Sequence, residues 1–82
     1  MNVVISPKAS KQLNKLPAKE GLKIIRKLRA LESIPYIGKR LAGKLQGLYT
    51  LRAWPYRIIY RILKEQKIIL VETIEHRQGV YK

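Results

Sequence analysis

Hydrophobic spacing divides the chain into a helical first part and an alternating second part. Val3, Val4 and Ile5 form a short β-branched run that reads as a strand. Ser6-Pro7 follows as a helix start, with Ser6 suited to the N-cap and Pro7 to the first helical position. Ala9, Leu13 and Leu16 then recur at helical spacing until Pro17 breaks that helix and opens the next. From about Ala18 to Ser33, Leu22, Ile25, Leu28 and Leu31 are expected along one side with Ile24 beside them. Lys19, Lys23, Arg26, Lys27 and Arg29 occupy the rest, so the helix is amphipathic with a basic outer surface. Ile34-Pro35 ends it, and Tyr36 to Lys44 reads as a basic connector containing Gly38 and Gly43.

Beyond the connector the period drops to two. Tyr49, Leu51 and Ala53 alternate with Thr50 and Arg52, and Trp54-Pro55 marks a turn. Tyr56, Ile58, Tyr60 and Ile62 then alternate with Arg57, Ile59 and Arg61. Glu65-Gln66 is a second turn, and Lys67 to Glu75 a third strand rich in Ile and Val. The pattern predicts one α+β domain over residues 1–82, in the order β-α-α-β-β-β. Two N-terminal helices pack on one face of a small, mostly antiparallel sheet. With Trp54 and Pro55 as the loop, Leu51 falls opposite Ile58 and Tyr49 opposite Tyr60, a coherent core face. Arg52 then lies across from Arg57 on the other face. Like charges in cross-strand positions are mildly unfavourable, so this pair invites an anion.

Charge sharpens that picture. Eighteen Lys and Arg stand against five Glu and no Asp, a formal net charge of +13 on 82 residues. Spread along the whole chain, this charge is not a solvated basic tail. It favours a nucleic-acid target over an anionic membrane surface or an acidic protein partner acting alone. No cysteine is present, which suits a reducing cytoplasm. The apolar run near the start is too short for a signal peptide or a membrane span, so a cytoplasmic protein with no membrane partner is expected. No metal or nucleotide signature occurs, and no cofactor is expected. His76 is the only histidine, which excludes a two-histidine ribonuclease mechanism. Chemistry must therefore come from Arg, Lys, Tyr, Glu and one His.

Three segments carry a resemblance. Lys44-Leu45-Gln46-Gly47-Leu48-Tyr49-Thr50-Leu51-Arg52 leads into Tyr56-Arg57-Ile58-Ile59-Tyr60, and the chain closes with His76-Arg77-Gln78-Gly79-Val80-Tyr81. In this order, after a β-α-α start, they resemble the RelE/ParE toxin superfamily over essentially the whole chain. That resemblance implies a toxin silenced by a cognate antitoxin, in a toxin–antitoxin hetero-oligomer. In RelE-like members it implies a ribosome-associated endoribonuclease that cuts mRNA by attack of the 2′-hydroxyl on the adjacent phosphate. Negative charge then grows on a five-coordinate phosphorus, and preorganised cations lower the barrier; the planar fork of arginine suits that task.

Carried onto this chain, Arg52 matches the basic position ending the first strand of the meander, and Arg57 the arginine of the second. Arg77 and Tyr81 match the basic and aromatic positions of the closing segment. His76 occupies a position where some members carry a proton-transferring histidine, with capping of the last strand as its rival role. Tyr81 either stacks on an mRNA base or covers the sheet edge. Lys39, Arg40, Lys44 and Arg61 are candidate RNA-phosphate contacts, against plain solvation. Tyr49, Tyr56 and Tyr60 are expected in the core. Glu72 and Glu75 are either general bases or ion-pair partners of nearby arginines. Thr50 stands where some RelE-like nucleases carry a further cation. ParE-like members share the fold but act on DNA gyrase and lack the nuclease's basic and aromatic set. Retention of Arg52, Arg57, His76, Arg77 and Tyr81 therefore favours the nuclease. A ParE-type gyrase inhibitor and a non-enzymatic RNA-binding domain are the alternatives.

Overall fold

The computed structural model describes residues 1–41 and 47–76. Strand β1 (Asn2–Ile5) is followed by helices α1 (Pro7–Asn14) and α2 (Ala18–Ser33). Strands β2 (Lys39–Arg40), β3 (Leu48–Ala53), β4 (Tyr56–Leu63) and β5 (Ile68–His76) follow among the described residues. They form one sheet in the order β1-β5-β4-β3-β2. All neighbours run antiparallel except β1, which pairs parallel with β5. The expected α+β architecture is present, and the connector adds the two-residue edge strand β2 to it.

Local chemistry accounts for the helix starts. The Ser6 hydroxyl accepts the Ala9 amide at 3.0 Å, and Pro7 opens α1, an N-cap with proline where no amide donor is needed. Against the sheet lie Ala9 of α1 and Ile24, Leu28 and Leu31 of α2. They meet Leu51, Ala53, Ile58, Tyr60, Ile69, Val71 and Ile74. The expected stripe on α2 needs correction. Leu22 is 53% exposed and Ile25 39%. At about 100° per residue, Leu22 lies roughly 150° around the helix from the Ile24–Leu28–Leu31 line, and Ile25 on its flank. Four leucine-like residues at near-helical spacing were too broad a set for one face.

The hairpin register is the expected one: Leu51 pairs with Ile58, Tyr49 with Tyr60 and Arg52 with Arg57. Between β4 and β5 the pairing shifts. Ile59 faces Thr73 while Tyr60 faces Val71, leaving Glu72 as the extra residue of a β-bulge. Just there β1 has ended, and side chains of the first helical segment take over the backbone of β5. Ser6 donates its hydroxyl to the Glu72 carbonyl at 2.8 Å. The Gln12 side-chain oxygen accepts the Ile74 amide at 2.7 Å and the Thr73 hydroxyl at 3.0 Å. Gln12→Ala should therefore orphan two donors, costing about 1–3 kcal/mol. The melting temperature should fall by roughly 5–20 °C. An unchanged thermal melt would refute this account of the bulge.

Candidate anion-binding groove

Because side chains alternate along a strand, the register sorts the chemistry by face. Leu51, Ala53, Ile58 and Tyr60 point to the helices. Arg52, Arg57, Ile59 and Arg61 point the other way. On the edge, Lys39 pairs with Thr50 and so shares the outer face, whereas Arg40 pairs with Tyr49 and takes the core-side phase. The outer face holds an open groove of about 420 Å³. Lys39, Arg52 and Arg57 line it from three adjacent strands, with Thr50 between them and Ile37, Gly38 and Leu41 along the connector side. A groove bearing three cations and an apolar wall can take a phosphodiester with its sugar or base alongside.

Arg57 has a second neighbour across the sheet: Glu75 of β5 pairs with it in register, opposite the Arg52 side. The arginine is thus flanked by a like charge and an opposite one, which moderates the repulsion inferred from the hairpin alone. Arg61 lies four residues further along β4, on the same outer face, but is directed elsewhere. Its Nε is 3.2 Å from Oε1 of Glu72, the bulge residue, with both side chains partly exposed. Arg61 does not line the groove, and Glu72 serves as its ion-pair partner. His76 is also set apart. It pairs with Tyr56, and the two rings meet edge to face at 5.3 Å. Tyr56 packs on the core, so this register places His76 in the face opposite to Arg52 and Arg57. Lys44, Arg77 and Tyr81 lie outside the described residues.

Two groove features were not singled out from sequence. Ile37 and Leu41 supply the apolar wall, and Tyr60 does more than fill space. It is fully buried, stacked on Tyr49 at 5.4 Å. Its hydroxyl donates to the Pro35 carbonyl at 3.1 Å and accepts the Gly38 amide at 3.0 Å. Burial is the main cause raising the pKa of this phenol above 10.0; the Gly38 amide bond opposes the rise and Tyr49 adds to it. The hydroxyl therefore stays protonated and able to donate at neutral pH. Folding holds this proton more tightly than the unfolded chain does. Its contribution is intact below the ordinary phenol pKa and is lost as pH rises through the raised one. Gly38 is the complement of this contact. A Cβ there would overlap the Tyr60 hydroxyl and lie 2.8 Å from the Thr50 carbonyl. A glycine five residues after the end of a helix, beside a cation, was the available signal for such a close approach.

The comparisons with known proteins agree with the overall fold. The family described as the ParE toxin of the type II toxin–antitoxin system matches residues 3–81. A Methanocaldococcus jannaschii protein named RelE1 is 30% identical, over 99% of this chain and 94% of its own length. The RelG toxin of Mycobacterium tuberculosis is 33% identical over 56% of this chain, a match spanning about half of that toxin. Among solved structures, the toxin–antitoxin complex RelBE2 of Mycobacterium tuberculosis contains a similar chain. It superposes with a TM-score of 0.85 at 28% identity, covering 93% of this chain and 96% of the other. With that fold, that family match and that full-length relative, this chain belongs to the RelE/ParE superfamily of type II toxin–antitoxin toxins.

Proposed function

We propose that this toxin is a ribosome-dependent endoribonuclease that cleaves mRNA, acts without a metal ion in the cytoplasm, and is silenced by a cognate antitoxin. The observation that carries the reading is the convergence of Lys39, Arg52 and Arg57 from β2, β3 and β4 on one open groove. In the reaction, the RNA 2′-oxygen attacks phosphorus, the bond to the 5′-oxygen breaks, and a cyclic phosphate and a free 5′-hydroxyl result. One proton leaves the attacking hydroxyl and one reaches the leaving oxygen. Arg52 and Arg57 hold the charge that grows on the phosphoryl oxygens, and Lys39 holds a flanking phosphate. Glu75, in register with Arg57 on the same face, is the carboxylate suited to handle a proton there. His76, in the opposite phase of the strand, is a weaker candidate for that task than its sequence position suggested. Arg77 and Tyr81 remain proposed contacts of the closing segment.

The antitoxin is supported by the RelBE2 structure, a complex of toxin and antitoxin, and by the +13 charge, which an acidic partner would relieve. A second reading has its own observation: the matched family description is that of ParE, and the implied target is then DNA gyrase.

The deciding experiment adds purified protein to translating ribosomes and maps mRNA breaks by primer extension. Breaks that appear only with ribosomes support the nuclease. Intact mRNA together with inhibited gyrase supercoiling would replace it with the second reading. Free protein should also bind single-stranded RNA with strong salt dependence. Three phosphate contacts predict a log–log slope of about −2, at roughly −0.7 per contact. A slope near zero between low and physiological salt would remove the phosphate role of the groove.

A further inference from the structure

We infer that Tyr60 is a positioning residue for the groove: its buried hydroxyl, bridging the Pro35 carbonyl and the Gly38 amide, sets the register of β2 and thereby selects Lys39 rather than Arg40 to face the bound anion. The inference rests on the groove being the RNA site. Its starting point is the weakness of β2, which is two residues long and lies at the sheet edge. Strand register is poorly specified where pairing is short and neither residue is buried. Both Lys39 and Arg40 are exposed, so side-chain burial does not choose between them. A slip of one residue would turn Lys39 out of the groove and bring Arg40 in, because alternate residues face opposite ways.

What opposes the slip lies immediately before the strand. The Gly38 amide is held at 3.0 Å by the Tyr60 hydroxyl, which is itself anchored on the Pro35 carbonyl at 3.1 Å. Tyr60 cannot drift, being fully buried in the core and paired with Tyr49 and Val71 on either side. Gly38 cannot advance by one position without bringing a side chain to the hydroxyl. The next residue is Lys39 and the one before is Ile37, and a Cβ at this place overlaps the Tyr60 oxygen. The hydroxyl and the missing Cβ together accept one register and reject its neighbours.

The test is a set of double-mutant cycles read by binding of a short single-stranded RNA oligonucleotide at low salt. Lys39→Ala should weaken binding about three- to tenfold, the loss of one phosphate contact, and Arg40→Ala far less. Tyr60→Phe keeps the ring and removes only the hydroxyl. In that background the lysine effect should shrink below about twofold and an effect of Arg40→Ala should appear. A merely structural tyrosine would lower the melting temperature without exchanging the two cations. Unchanged, additive effects of Lys39→Ala and Arg40→Ala in the Tyr60→Phe protein would overturn the inference. The wild-type protein supplies an independent readout if the variant does not fold: the Gly38 amide should resist hydrogen exchange, and exchange at the rate of a free loop would overturn the tether. Full RNA affinity in Lys39→Ala, Arg52→Ala and Arg57→Ala alike would instead remove the groove reading, and this inference with it.

Discussion

Arg57→Ala is expected to lower ribosome-dependent mRNA cleavage on the order of 100-fold or more while leaving the melting temperature nearly unchanged. The two halves of this result have separate causes. Arg57 faces Arg52 across one strand boundary and Glu75 across the other. At about 5.5 Å in a water-like dielectric, either interaction amounts to under roughly 1 kcal/mol, and the two have opposite signs. Removing the guanidinium thus removes a repulsion and an attraction together, and stability barely moves. In the proposed cleavage step no such cancellation occurs. Charge grows on the phosphoryl oxygens, Lys39 and Arg52 remain alone in the groove, and a preorganised bidentate donor is gone. Arg61→Ala is the comparison. Its guanidinium is engaged by Glu72 and lies off the groove, so cleavage should change by less than about threefold, in line with the small worth of an exposed ion pair. Equal activity losses at Arg57 and Arg61, measured beside thermal melts, would show that position in the groove is irrelevant. An Arg57→Ala protein that unfolds would show the charge to be structural.

Gly38→Ala should be the most damaging single methyl group in the connector. The added carbon meets the Tyr60 hydroxyl, the Thr50 carbonyl and the edge of the Tyr60 ring, none of which is the free end of a flexible chain. Either the connector lifts, breaking the bonds of Gly38 and Pro35 to Tyr60, or the core tyrosine shifts. Overpacking and two strained hydrogen bonds together cost about 3 kcal/mol. For a domain of this size that lowers the melting temperature by roughly 12–24 °C. The other half of the expectation concerns the groove, because Lys39 is the next residue. RNA affinity should fall at temperatures where the protein is still folded, by about the three- to tenfold loss of one phosphate contact. A Gly38→Ala protein with wild-type melting and wild-type RNA binding would mean that the close approach has no energetic weight. At Gly21 the contrast is clear: an added Cβ meets only Leu13 at 4.0 Å, and alanine should be tolerated or mildly stabilising in that helix.

Much of this protein was legible along the chain, and the reasons are local. Ser6-Pro7, Pro17 and Ile34-Pro35 punctuate the helices through capping and proline geometry, which depend only on near neighbours. The period-two runs around Trp54-Pro55 place Arg52 opposite Arg57 because a short turn leaves little freedom in pairing. The three quoted segments carried the resemblance to the superfamily for a related reason: residue types at fixed spacing are read directly along the chain. Other features were decided by packing at a distance. Whether Leu22 or Ile24 meets the sheet depends on the angle at which α2 lies on it, and the side facing away still contains apolar residues. The bulge at Glu72 shifts one strand by a residue and gives Arg61 a carboxylate partner. His76 stands close to Arg57 in the meander but falls into the opposite phase of β5, because neighbouring strand positions face opposite ways. Gly38, beside Lys39, is held by a tyrosine from β4, a contact between residues 22 apart in the chain. Sequence alone determined the elements, the hairpin register and the abundance of positive charge. The tertiary structure decided which cations converge, because convergence depends on contacts between residues far apart in the chain.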